Sequence, residues 1–394
     1  MVAQQSTHIR ADAYESGPES RRLDFGANSY PQALKALLVD WIQVQHFRIF
    51  ETTDYRASSS QNRVTSGNSD GWRKSRGLAN EITTFKSNSR KSINAVRHMP
   101  ADQGVANLLS RLGKRFLVPG RWNVGFVREP ISVFLESNAK HDIVWFPQTD
   151  GSKFLADPFG LSKEGKIHIL CEEYDYYALK GRIVTIELTS DGFLTQPKVV
   201  FDFPFHASYP YVFESEGGTY CVPETAQAKE IVLFQSDEFP STWKRVTTLV
   251  REFPGRDNTI FKHQGLWWLS SCAGDNSSLY LWYSDELLGR WNPHSANPVK
   301  VDINSSRPAG TPFVCEGDLY RPSQDCFRTY GARIVLNRVT RLTPSEFKEE
   351  PSQIVEPDPN GPYGNGVHTI SSVGNITLID GFRASLVRKL IKGS

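Results

Sequence analysis

A glycine returns at the same place in five stretches of this chain, and no other feature restricts its fold as tightly. The stretches are "DPFGLSKEGKIHILCEE" from Asp157, "YPYVFESEGGTYCVPET" from Tyr209, "DNTIFKHQGLWWLSSCA" from Asp257, "AGTPFVCEGDLYRPSQD" from Ala309 and "GVHTISSVGNITLIDGF" from Gly366. Gly165, Gly217, Gly265, Gly317 and Gly374 each stand eight positions after the start, at intervals of 52, 48, 52 and 57 residues. Alternating apolar residues flank each glycine, so every copy reads as strand, tight turn, strand.

A further apolar strand follows each of the first four hairpins: "GRIVTIEL", "EIVLFQS", "SLYLWYS" and "ARIVLNRV". Fourth-strand candidates come after these, among them "WKRVTTLV" and "PSQIVE". Four strands about every 50 residues is the size of a β-propeller blade. Five copies predict an all-β, five-bladed propeller. The last copy lies too near the C-terminus to supply four strands, so "RWNVGFV" and "HDIVWFPQ" are expected to complete that sheet and close the ring. A β-sandwich would account for the strands but not for five copies in register. Composition agrees with short strands and many turns: 12% aromatics, 29 Gly and 23 Pro.

Residues 1–114 differ in texture and are expected to form a separate segment, with the propeller over 115–394. Leu34, Leu37, Leu38, Trp41 and Ile42 recur at helical spacing behind Pro31, as do Val105, Leu108, Leu109, Leu112 and Phe116. Between these two amphipathic helices, residues 52–98 carry nine Lys/Arg against three acids and are rich in serine. A solvated, disordered linker is the plainer reading. A basic arm for an anionic partner is the other, though aromatic interleaving is lacking.

Several function classes find no support. A net charge of +2 gives no electrostatic reason to expect nucleic acid. Five cysteines without CxxC spacing suggest neither a zinc site nor a disulfide framework. No signal-type apolar core opens the chain and no run approaches the ~20 apolar residues of a membrane span, so a cytoplasmic protein is the default expectation. HExxH, GxxxxGK[ST] and D-x-D are missing.

In a propeller the first strand of each blade lines the axis, and the inner strand ends surround one mouth. At first-strand starts stand Asp157, Tyr209 and Asp257, with Arg307 just before the fourth copy and His368 just inside the fifth. At second-strand ends stand Glu172 and Glu173, Glu224, and Gln324 with Asp325. Acids at matching positions predict a polar funnel. Glycoside cleavage needs one protonated and one ionised carboxyl, and crowded, desolvated acids divide their pKa values accordingly. The bland alternative is that Asp-Pro turns and strand-end acids cap backbone amides. Asp, Glu and carbonyl oxygens in such a channel would also suit a Ca²⁺, although no cofactor is required.

"ADPF", "SYPYVFESEGGTYCVPET", "DNTIFKHQGLWWLSS", "SRPAGTPF", "LYRPSQDCFRTYG" and "GVHTI", in that order over about residues 115–385, resemble the propeller domain that precedes the transferase domain in plant glucosamine inositolphosphorylceramide transferases. Related bacterial domains stand alone or are linked to formyltransferases. The group belongs to the wider arabinanase/invertase/levansucrase set of five-bladed propellers. That resemblance implies a base or nucleophile at Asp157, a general acid at Glu224 and a pKa-tuning acid at Asp257. Glu173, Tyr209, Arg307, Arg321, Gln324, Asp325 and His368 would hold hydroxyls or an anionic substituent. The implied ligand is a sugar or glycoconjugate, and the implied partner a glycosyltransferase or formyltransferase. A glycoside hydrolase or transglycosidase is the leading expectation; a non-catalytic glycan-binding module is the alternative.

Overall fold

The structure is a computed structural model that describes residues 117–388 apart from 138–139, 148–150, 189–194 and 275. The two helices and basic linker expected before residue 117 lie outside the described residues. Within them the chain is an all-β, five-bladed propeller. The strands β1 (Leu117–Val127) and β2 (Val144–Trp145) come first. Blade one follows as β3 (Lys153–Lys163), β4 (Lys166–Asp175), β5 (Lys180–Leu188) and β6 (Lys198–Phe201). Blade two is β7 (Ser208–Ser215), β8 (Gly218–Glu224), β9 (Glu230–Glu238) and β10 (Thr242–Arg251). Blade three is β11 (Arg256–His263), β12 (Leu266–Cys272) and β13 (Ser278–Ser284), with β14 (Asn292–Pro293) and β15 (Lys300–Val301) both pairing with β13. Blade four is β16 (Phe313–Cys315), β17 (Asp318–Asp325), β18 (Arg333–Thr343) and β19 (Glu346–Val355).

The fifth sheet closes the ring. Its order is β2-β1-β21-β20, where β20 spans Ile370–Val373 and β21 spans Ile376–Arg388. The first and last described strands are therefore central neighbours, antiparallel from Leu117 opposite Arg388 to Val127 opposite Thr377. Both closing segments expected from the sequence are in this sheet.

The recurring glycines sit at hairpin tips. In the first four blades, Glu164–Gly165, Glu216–Gly217, Gln264–Gly265 and Glu316–Gly317 all have positive φ at both residues. That is the type I′ turn, whose twist matches the strands. A Cβ at these glycines would touch nothing within 4 Å, so backbone conformation selects glycine there, not crowding.

Apolar layers lie between the sheets. One holds Phe159, Leu170, Ile183, Tyr211, Val222, Ile231 and Trp267, and joins blades one to three. Another joins the closing sheet to blade one through Val124, Phe126, Leu155, Ile169 and Leu378. These layers hold the inner strand ends in fixed relation, which any axial site requires.

Candidate functional site

The same local distortion opens the inner strands of three blades. Ala156 pairs with Glu172 and Phe159 with Leu170, so three steps on β3 face two on β4. Ser208/Glu224 with Tyr211/Val222, and Arg256/Cys272 with Thr259/Ser270, repeat the bulge in blades two and three. Its first residue is left-handed each time: Asp157 at φ 53°, Tyr209 at 44° and Asp257 at 51°. Left-handed backbone is costly for bulky residues and clusters at functional sites, and bulges re-aim side chains. In blade four Gly310 takes φ 129°, and a Cβ there would collide with the Ile370 carbonyl.

Asp157 is 4% exposed. Its Oδ1 accepts the Thr369 hydroxyl at 2.7 Å and its Oδ2 the Tyr209 N–H at 3.3 Å. Burial pushes the carboxyl up to about 6; His368 pulls it down, while Asp257 and Asp380 add to the rise. Asp380 accepts the N–H groups of His368 and Thr369, at 3.0 Å each, and that of Asp157 at 3.1 Å. His368 Nδ1 lies 2.6 Å from Asp380 Oδ2 and 3.8 Å from Asp157 Oδ1. Burial opposes its charge, but Asp380 and Asp157 outweigh burial and hold the imidazole above its ordinary value. The ring stacks on Trp122 at 3.8 Å.

Asp257, 1% exposed, anchors the other side. The Arg307 guanidinium grips both its oxygens, through Nε to Oδ2 and Nη2 to Oδ1, and Gln324 Nε2 donates to Oδ2 at 2.7 Å. Burial raises Asp257 to about 6, against the pull of Arg307 and with a further push from Glu224. Glu224, 6% exposed, accepts the Asp257 N–H at 3.0 Å, and its Oε2 lies 3.9 Å from Arg307. Arg307 also donates to Asn276 Oδ1 at 2.6 Å and to the Tyr330 hydroxyl at 3.3 Å. Asp157 and His368 thus belong to one hydrogen-bonded network, and Glu224, Asp257, Arg307 and Gln324 to a second, close enough for the Asp257 charge to raise Asp157; the two form the axial constellation.

Four of the expected site residues have other engagements. Tyr209 is fully buried; its hydroxyl meets Thr259 Oγ1 at 2.8 Å and accepts the Gly310 N–H at 2.7 Å, pinning blades two, three and four. Arg321 pairs with Glu349 at 2.6 Å and donates to the Ser305 and Ser306 carbonyls. Asp325 accepts from Arg333 Nε at 2.8 Å and from the Phe327 N–H at 3.0 Å. Glu173 is held by Lys153 at 3.1 Å and Arg182 at 2.6 Å. Its neighbour Glu172 is the acid within range of the axial carboxyls. Burial, then Asp157, Glu224, Asp257 and Asp380, drive Glu172 well above the usual carboxyl range. Consecutive strand residues face opposite ways, so only one of the pair can do this.

Asp157, His368 and Asp380 each place one ligand atom within 4.8 Å of the others. A Ca²⁺ takes six to eight oxygens and no imidazole. Here the imidazole bonds to Asp380, whose oxygens already accept three backbone N–H groups. The trio fits a charge-assisted hydrogen-bond network and does not fit a calcium cage. Asp380, Thr369 and Asn276 complete the site without having been expected. Asp380 lies outside the repeat positions that were compared, and the other two are common capping residue types.

A profile of the family described as "Glucosamine inositolphosphorylceramide transferase 1, N-terminal" matches residues 145–366. Glucosamine inositolphosphorylceramide transferase 1 of Oryza sativa subsp. japonica is 33% identical over 209 residues, 51% of this chain and 28% of the rice protein. The Arabidopsis thaliana protein of that name is 32% identical over 207 residues, 50% of this chain and 27% of that one. The match thus spans less than a third of the length of these curated relatives. Among solved structures, the catalytic domain of a Coprinopsis cinerea GH62 alpha-L-arabinofuranosidase superposes with a TM-score of 0.45 at 12% identity, covering 60% of this chain and 94% of that one.

Proposed function

The chain belongs to the family of glucosamine inositolphosphorylceramide transferase 1 N-terminal regions, and from that premise and the axial geometry we propose that it binds a glycoconjugate at the propeller mouth and breaks or transfers a glycosidic bond there. Asp157 is the base or nucleophile, Glu224 the proton donor, and Asp257 with Arg307 the pair that orients Glu224 and sets the local field. The observation that carries this reading is the joint placement of Asp157 and Glu224. Both are carboxyls of neighbouring blades, each fixed by a backbone N–H at the next blade's bulge: Tyr209 N–H for Asp157 and Asp257 N–H for Glu224. Such fixing gives carboxyls the preorganised geometry that acid–base work needs.

A carboxyl held near 6 loses its proton just below neutral pH, as a base must. Buried Arg307 offers donors to substrate hydroxyls only through atoms not occupied by Asp257, Asn276 and Tyr330. The carbohydrate class of ligand is supported by the names of the relatives, whose longer chains include far more than this propeller.

One observation favours a second reading. Asp157 and Asp257 already have both oxygens bonded within the protein. A non-catalytic glycan-binding module, serving a glycosyltransferase, would keep its acids in this way. Incubation with aryl-glycosides and natural oligosaccharides separates the two: sugar release lost in Asp157→Asn and Glu224→Gln supports the enzyme, and binding without release supports the module.

A further inference from the structure

The loop between β17 and β18 starts and ends inside the axial constellation. Just before it, Gln324 donates to Asp257. Within it, the Tyr330 hydroxyl accepts from Arg307, and the Tyr330 ring stands edge-on to His368 at 5.3 Å between centroids. Both roots of the loop therefore sit beside the two halves of the site. Two residues past the end of β17 stands Phe327, which is 70% exposed, the most exposed large apolar side chain among the described residues.

The loop is clamped. Asp325 Oδ1 accepts the Phe327 N–H at 3.0 Å, Asp325 Oδ2 accepts from Arg333 at 2.8 Å, and the Asp325 carbonyl accepts the Ala332 N–H at 3.2 Å. Cys326 N–H is bonded to the Ile303 carbonyl at 3.0 Å. The corresponding loop of blade one uses the same device: Asp175 Oδ1 accepts the N–H groups of Tyr177 and Ala178, and Tyr177 is also exposed. Isolated surface phenylalanines need no explanation. This one stands on a stapled loop whose roots are the proposed site, and a second blade presents an aromatic residue in the same way.

We infer that Phe327 is a stacking platform for a sugar ring at the mouth, an inference that rests on the carbohydrate reading above. A pyranose has one face of C–H groups, which packs on an aromatic ring while its hydroxyls face polar partners. The polar partners are the axial groups. Phe327 touches no reacting atom, so it contributes to ligand affinity and orientation and leaves bond cleavage to the carboxyls. Its truncation removes an exposed ring and leaves the fold unaltered.

The test uses the full chain on an array of neutral and amino-sugar oligosaccharides, followed by calorimetry with an oligosaccharide the wild type selects. Phe327→Ala weakens binding about tenfold, and Phe327→Tyr stays within about twofold of wild type. Equal affinity of Phe327→Ala and wild type overturns the platform while leaving the carbohydrate reading in place. A wild type that selects no oligosaccharide overturns both.

Discussion

Asp157 is the residue on which the account turns, and its titration has two separate consequences. As a base it must be ionised, so turnover should rise with pH through about 6 and flatten above it. Its effect on stability runs the other way. A folded-state pKa above the ordinary value of 3.8 means the native protein keeps a proton that the unfolded chain has lost. Stability therefore falls as pH rises from about 4 to 6, by on the order of 3 kcal/mol for a shift of about two units. Asp157→Asn removes that loss. Urea titrations of both proteins should show the variant gaining on wild type across this window, and parallel curves would refute the assignment. Arg307 tests the opposite side of the site. Arg307→Met leaves Asp257 buried without its cation and should cost about 3–5 kcal/mol, read as a lowered unfolding midpoint.

At the level of the strand, the bulges explain what could be read in advance. The glycine register placed Asp157, Tyr209 and Asp257 at equivalent positions because each type I′ tip fixes the count back to the bulge. The direction of each side chain was not legible. The bulge lies on β3, while Glu172 and Glu173 stand on its partner β4 and are both buried, so the pair could not be told apart from sequence. Tyr209 looked like a ligand group because it shares its position with two aspartates, yet its hydroxyl closes a bond across three blades. Tyr209→Phe should thus destabilise the fold by about 1–3 kcal/mol, since the Gly310 N–H loses its acceptor. Measurable loss of thermal stability is the expected outcome, and an unchanged midpoint would remove the cross-blade role. Gly310→Ala should be far worse, because it combines a forbidden φ with a collision at the Ile370 carbonyl.

For the whole molecule, closure is the dominant physical fact. β21 lies between β1 and β20, and it also supplies Asp380, which holds His368, Thr369 and Asp157 in place. Ring closure and the site therefore depend on one strand. This coupling escaped the sequence because Asp380 stands one residue short of the position that Glu172, Glu224 and Gln324 share in their copies, where the fifth copy has Gly381. A chain ending at residue 375 should lose its single cooperative unfolding transition, as seen by calorimetry. The measurement that bears most directly on the central claim is sugar release from aryl-glycosides and natural oligosaccharides by wild type, Asp157→Asn and Glu224→Gln, each verified as folded. The account predicts release by wild type and a loss of at least about a hundredfold in both variants. Release that persists undiminished in either folded variant would contradict it.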